Sequence, residues 1–300
     1  IMPSLVGSEM CIRDRQKTIR HAVSMSGNGL FTGSKIAICL KPSSEGSGIT
    51  FVRTDLPGSP SIPADIDYVK ETPRSTILEK DGVVIRSVEH ILSACKALEI
   101  DNVIIEMEGD EIPAVDGSAS PFVTILSQAG TMCQLKEKSA LRLLHPIFWS
   151  RNDAHLIALP SYDLRISYTL SYPNSRILHS QFCSFYMNEE TYKKEIAPAR
   201  TFCLYDDIVT LIEKGLIKGG NLENAVVIKG DTIINPEGLR FVNNEMARHK
   251  ALDLLGDLSL LGKDFPSEAH IIGIRSGHSA NIAFAREIRN YIQTNMGKDK

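Results

Sequence analysis

Residues 87–107 read SVEHILSACKALEIDNVIIEM, and the hydrophobic period changes within them. Val88, Ile91, Leu92, Cys95 and Leu98 recur at the three- and four-residue steps of one helix face, behind Ser87, a residue type that caps helix starts. Asp101 and Asn102 break that pattern, and VIIEM then has the density of a strand. Immediately upstream, STILEK and VVIR flank an Asp81-Gly82 pair, the grammar of a tight hairpin. Strand hairpin, helix and strand in succession predict an α+β chain rather than a doubly wound sheet.

Working outward, TIRHAVSM (18–25), KIAICLK (35–41) and ITFVR (49–53) read as strands separated by glycine-rich turns, and SPFVTILSQAG as a helix ended by Gly130. TMCQLKEKSA (131–140) is polar and reads as a domain boundary. Beyond it the grammar repeats. LRLLHPIFW, HLIALP, LRISYTLSY and QFCSFYM are strand-like, NEETYKKEI, DDIVTLIEK and NEMARHKALDLLGDLSLLG are helical, and HIIGI precedes a terminal SANIAFAREIRNYI helix. We therefore expect two similar α+β domains, 16–130 and 131–300, each a mainly antiparallel sheet packed with helices, although no alignable repeat links them. Residues 1–15, IMPSLVGSEMCIRDR, have neither the basic start nor the apolar core of a secretory signal and read as a non-native leader.

Composition removes several classes of function. Lys+Arg number 33 against 36 Asp+Glu, a net charge of -3 without a basic cluster, so no nucleic-acid partner is expected. No apolar run approaches the ~18 residues of a membrane span. Cys11, Cys39, Cys95, Cys133, Cys183 and Cys203 are widely scattered, which suits reduced thiols and a cytoplasmic protein.

Chemistry concentrates on the leucine-rich segment 244–262. His249, Asp253 and Asp257 follow at four-residue steps, so on a helix they form one polar stripe among core-type leucines. A histidine and a carboxylate one turn apart suit one metal ion, or else simply hydrogen-bond each other in a core. Glu89 and His90, where a strand gives way to a helix, and His278, after a glycine at a similar junction, add matching chemistry. Either a site or a capped helix accounts for each alone.

SVEHILSA, IDNVIIE, EIPAVDGSASPF, PARTFCL, KGLIKGGNLENAVV, LRFVNNEMARHKALDLLGDLSLLG and SGHSANIA together resemble, in order and spacing, the zinc-dependent UDP-3-O-acyl-N-acetylglucosamine deacetylases of lipid A biosynthesis in Gram-negative bacteria. The resemblance, from about Gln16 to Ile292, implies a site at the domain interface and hydrolysis of the N-acetyl group with release of acetate. It implies His90, His249 and Asp253 as ligands of one zinc, with iron(II) as an alternative ion for an N,N,O donor set. Glu89 is implied as general base, His278 as the protonated acid and Asp257 as its partner. Thr201 would polarise the carbonyl, Phe202 would wall the sugar site and Lys250 would bind sugar oxygens. A small βαβ insert around 201–228 would form the acyl passage, with Leu204, Ile208, Leu211, Leu216, Ile217, Ala225 and Val227 either lining it or forming its small core. Asp116, in a motif position, is read as turn chemistry.

The partner implied is the UDP-3-O-acyl-N-acetylglucosamine substrate, and the protein is expected to be a monomer. A zinc amidohydrolase for peptides, a catalytically inactive relative and a fusion to a dehydratase remain as alternatives, although H-E-x-x-H is absent. The chain departs from the resemblance at GNGLFTG, where relatives usually carry histidine and this sequence has Phe31. With metal and acid roles already filled, Phe31 is expected to serve as a wall of the site or as a contact just behind it.

Overall fold

The computed structural model describes residues 15–72, 74–138, 141–213 and 215–295. The expected leader lies outside them except for Arg15, which opens the first strand. Strands β1 (Arg15–Ile19), β2 (Val23–Asn28), β3 (Lys35–Pro42), β4 (Ile49–Arg53), β5 (Ser61–Pro63), β6 (Val69–Glu71), β7 (Ile77–Lys80) and β8 (Val83–Arg86) lead into helix α1 (Glu89–Ala97). Strand β9 (Val103–Glu108), helix α2 (Ser120–Ala129) and β10 (Thr131–Glu137) complete the first half.

The second half contains β11 (Ile147–Arg151), β12 (Ala154–Pro160), β13 (Arg165–Leu170), β14 (Gln181–Tyr186), a short helical turn and β15 (Phe202–Leu204). Then come α3 (Tyr205–Glu213), β16 (Val226–Lys229), β17 (Thr232–Ile233), α4 (Glu245–Ser259), β18 (Ala269–Ile274) and α5 (His278–Asn295).

Two five-stranded sheets dominate, in the orders β2-β3-β9-β4-β5 and β11-β12-β18-β13-β14. Their strand senses match. Only β4–β9 and β13–β18 are parallel, and every other pairing within these sheets is antiparallel. In each half a helix precedes the last, central strand and another follows it: α1 and α2 around β9, α4 and α5 around β18. The same topology thus occurs twice.

Alternation explains how each sheet packs. In β3, Ile36, Ile38 and Leu40 are buried while Ala37, Cys39 and Lys41 are only half-buried. A period of two places those sets on opposite faces, and the buried set meets the helices. Between the halves, α1 packs across α4 at Gly256. A Cβ there would lie 2.0 Å from the Glu89 carbonyl oxygen, so only glycine permits this close approach.

Four local expectations are corrected. Ser87 is not a side-chain cap: it sits at φ +60°, the helix begins at Glu89, and Val88, its cap residue, makes no side-chain capping bond. TIRHAVSM is interrupted because Arg20 and His21 donate their N–H groups to the Gly130 and Ala129 carbonyls at the end of α2. Much of the polar TMCQLKEKSA segment is strand β10, paired with β1. It lacks a hydrophobic period because most of its residues are exposed. In LRLLHPIFW the strand begins only after Pro146, at Ile147. The Asp81-Gly82 turn has positive φ at both residues, 51° and 81°, as a type I′ hairpin requires.

The βαβ insert is present. β15 and β16 pair in parallel around α3, and β17 adds an antiparallel edge. Among the described residues no helix is long and apolar enough to cross a membrane.

Candidate metal centre and active-site cleft

α4 supplies the polar stripe, and all of its members are buried: His249 at 2%, Asp253 at 1% and Asp257 at 0% exposure. The first turn of α1 faces it. His90 Nε2 lies 3.5 Å and His249 Nε2 3.4 Å from Asp253 Oδ1. One ligand atom from each of these three residues falls within 4.8 Å of the others.

The donor set fits a divalent ion. Asp253 Oδ1 is buried without a hydrogen-bond partner among the described residues, a costly state for a carboxylate oxygen unless a cation completes it. His249 Nδ1 lies 3.1 Å from the Ala199 carbonyl, which accepts its proton and leaves the Nε2 lone pair facing Asp253. Burial pushes the His249 imidazole down to about 3, so the ring is neutral, as a metal ligand must be. Burial alone would raise Asp253, but the charged neighbours Lys250 and His278 hold it well below the usual carboxylate range. Lys250 Nζ donates to Asp253 Oδ2 at 2.7 Å, and this ion pair outweighs burial and raises the lysine.

A second group of polar side chains adjoins the first. Glu89 is buried, and its Oε2 accepts the Thr76 N–H at 3.0 Å. Burial raises its carboxyl above the ordinary value despite the opposing influence of His278 and His90. His278 Nε2 lies 4.0 Å from Glu89 Oε1, and its Nδ1 donates to Asp257 Oδ2 at 2.9 Å. Burial would lower the imidazole, but Asp257 and Asp253 overcome it and raise His278 to about 9. Asp257 is fixed in turn by Thr76 Oγ1 at 2.5 Å and Asn281 Nδ2 at 2.9 Å. At neutral pH the site therefore holds a protonated imidazolium beside a carboxyl of raised basicity.

These groups open into a cleft of about 430 Å³. Thr201, Phe202 and Leu204 from the insert, Lys250 and Tyr172 from the second half, and Phe31 from the first line it. Phe31 is therefore a wall residue, with its N–H donating to buried Glu111 at 2.9 Å and its carbonyl accepting from Lys218 at 3.2 Å. Ile208, Leu211, Leu216, Ile217, Ala225 and Val227 are not among the lining residues. Ala225 and Val227 are buried in the insert, while Ile208, Leu211 and Ile217 are half-buried and Leu216 is exposed.

Asp116 forms the expected local turn through Ser118 and also pairs with Arg240 at 3.0 Å. Sequence reading overlooked Thr76, Asn281 and Glu111. Only Asn281, one helical turn beyond His278, has a spacing that flags it.

Residues 16–290 match the family model described as UDP-3-O-acyl N-acetylglycosamine deacetylase. The chain belongs to the UDP-3-O-acyl N-acetylglycosamine deacetylase family. Relatives named UDP-3-O-acyl-N-acetylglucosamine deacetylase agree with that assignment. The Chlamydia pneumoniae protein is 46% identical over 91% of this chain and 96% of its own length. The Chlamydia abortus protein is 45% identical over 93% and 98%, respectively. The Chlamydia trachomatis serovar L2 protein is 43% identical over 93% and 96%. In this deacetylase-family chain, the metal-fitting trio and the Glu89–His278 pair occupy one cleft between the two halves.

Proposed function

We propose that this chain is a zinc-dependent deacetylase that removes acetate from the glucosamine nitrogen of a UDP-3-O-acyl-N-acetylglucosamine, in the cytoplasm and as a monomer, for lipid A synthesis. Family membership supports the substrate, and the orphaned Asp253 Oδ1 between two imidazoles carries the metal assignment. His90, His249 and Asp253 would hold zinc. Bound there, zinc would supply Lewis acidity to the amide carbonyl and lower the pKa of a nearby water.

In this reading, Glu89 takes a proton from the attacking water as its oxygen adds to the acetamide carbon. The raised carboxyl is better matched to that task than an ordinary glutamate. Thr201 donates toward the carbonyl oxygen as negative charge develops there. When the C–N bond breaks, His278 gives its proton to the departing nitrogen, so the products are a free amine and acetate. Asp257 keeps His278 charged and correctly turned. Lys250 and Phe202 bind the sugar, while Leu204 begins the acyl-chain wall with the rest of the insert beyond it.

The domain division at about residue 130 belongs to the same reading, with the first half contributing α1 to the site and the second half α4 and the start of α5. Purified protein reconstituted with zinc, and separately with iron(II), tests the proposal through metal stoichiometry and acetate release. We expect one ion per chain and release from the acylated UDP-sugar but not from an acetylated peptide. Release from the peptide alone would replace the proposed substrate class.

A further inference from the structure

α4 carries one more buried charge than the stripe read from sequence. Glu245 lies one turn before His249 and is completely buried, and its partner Arg200 is 2% exposed. Glu245 Oε1 accepts from the Arg200 backbone N–H at 3.1 Å and from Arg200 Nε at 2.8 Å. Its Oε2 accepts from Arg200 Nη2 at 3.3 Å and from the Arg240 N–H at 2.6 Å. Arg200 Nη2 also donates to the Gly238 carbonyl at 2.7 Å.

Enclosing an ion pair gives little net stability compared with apolar residues of similar volume. Its position offers a different use. On one side of Arg200 is Ala199, whose carbonyl accepts from His249 Nδ1. On the other is Thr201, which lines the cleft and donates its N–H to the Gly117 carbonyl at 2.8 Å. Glu245 therefore grips the central residue of a three-residue segment whose two ends touch the site. Arg240 carries the network onward to Asp116, in the turn that includes Gly117. Asp116, Arg240, Glu245 and Arg200 thus tie the two halves together behind the cleft.

We infer that the Arg200–Glu245 pair is a positioning device that sets the Ala199 carbonyl against His249 and Thr201 in the cleft wall. Both residues act through their neighbours. The inference rests on the metal-centre reading.

Glu245→Gln and Arg200→Lys test it. Glutamine presents an amide donor where Glu245 receives only donors, and lysine keeps the charge but not the guanidinium fork. For Glu245→Gln we expect zinc affinity, measured by chelator competition, to fall 10- to 100-fold, as for other losses of support behind a ligand. We expect kcat to fall about tenfold, with KM changed less than twofold, because Thr201 serves the transition state. Arg200→Lys should shift the same two readouts in the same direction, by less. Should Glu245→Gln fail to fold, Arg200→Lys decides by those readouts.

A lower melting temperature with wild-type zinc affinity and wild-type kcat in the folded variant would overturn the inference and leave the pair purely structural. His249→Ala is the control. If it retains wild-type zinc affinity, the metal-centre reading fails and takes this inference with it. If it loses zinc while Glu245→Gln does not, the inference alone fails.

Discussion

The two halves share one topology but use their equivalent helices differently. α1 brings functional side chains only in its first turn, Glu89 and His90, and continues as Ile91, Leu92, Ala94 and Cys95 in the core. α4 carries Glu245, His249, Asp253 and Asp257 at successive turns, all of them buried. The outer sheet faces differ as well. In the first sheet, the cross-strand row Ser24, Cys39, Glu106, Val52 and Ser61 is largely polar, and Lys41 pairs with Glu106 at 2.7 Å. In the second, the corresponding row runs Phe148, Ile157, Ile272, Ser167 and Ser184, apolar over its first three strands, and Phe182 and Tyr186 project 58% and 56% exposed on the same face. Topology sets where the helices meet, and the α4 stripe, joined by Glu89 and His90 of α1 and by His278 at the start of α5, turns that meeting into a site.

The strongest way to break the comparison is to separate the helices. Gly256→Ala places a methyl group 2.0 Å from the Glu89 carbonyl, and backbone cannot yield as a flexible side chain can. We expect a loss of ~1–3 kcal/mol in stability, as for overpacking. Turnover of the remaining folded protein should fall about 100-fold, because small displacements of reacting groups are costly. Thermal unfolding and turnover at saturating metal measure both. Normal turnover would mean that Glu89 is not set by this crossing.

A smaller perturbation tests the α4 stripe at its far end. Asp257 favours the imidazolium of His278, so Asp257→Asn should lower the His278 pKa from about 9. The protonated acid is then lost at lower pH as pH rises. The alkaline limb of the rate profile should accordingly move toward neutrality, with a loss of about tenfold or more at the optimum. An unmoved limb would assign it to another group. Because neighbouring titrations are coupled, the limbs report the site rather than single residues.

The smallest effect belongs to Phe31, on the wall contributed by the first half. Phe31→His should leave zinc stoichiometry unchanged and alter the rate by no more than about tenfold, or ~1.4 kcal/mol. Zinc binding or turnover found only in the histidine form would give position 31 a metal or catalytic role that the present account leaves, within the first half, to His90 and Glu89.

Much of this was legible from pattern. Alternating strands such as KIAICLK announce a one-sided sheet, and the 249/253/257 spacing on a leucine-rich helix announces buried polar chemistry. The missing parts have physical reasons. β10 has no alternation because most of it is exposed, so its hydrophobicity carries no period. Glu245 precedes the leucine-rich core of α4, and its role depends on Arg200, 45 positions earlier in the chain. Gly256 was visible as a glycine inside a helix, a costly placement that signals close packing, but its partner Glu89 is distant in sequence. The duplicated topology left no repeat because each half needs only a matching hydrophobic pattern, not matching residues.

The central claim is that His90, His249 and Asp253 hold the metal while Glu89, one residue from a ligand, serves only the reaction. Metal stoichiometry and acetate release, measured together on Glu89→Ala and His249→Ala, test it most directly. We predict that Glu89→Ala retains one zinc per chain and loses at least 100-fold in rate, whereas His249→Ala loses both zinc and rate. Equal metal loss in the two variants, or full zinc occupancy in His249→Ala, would contradict the account.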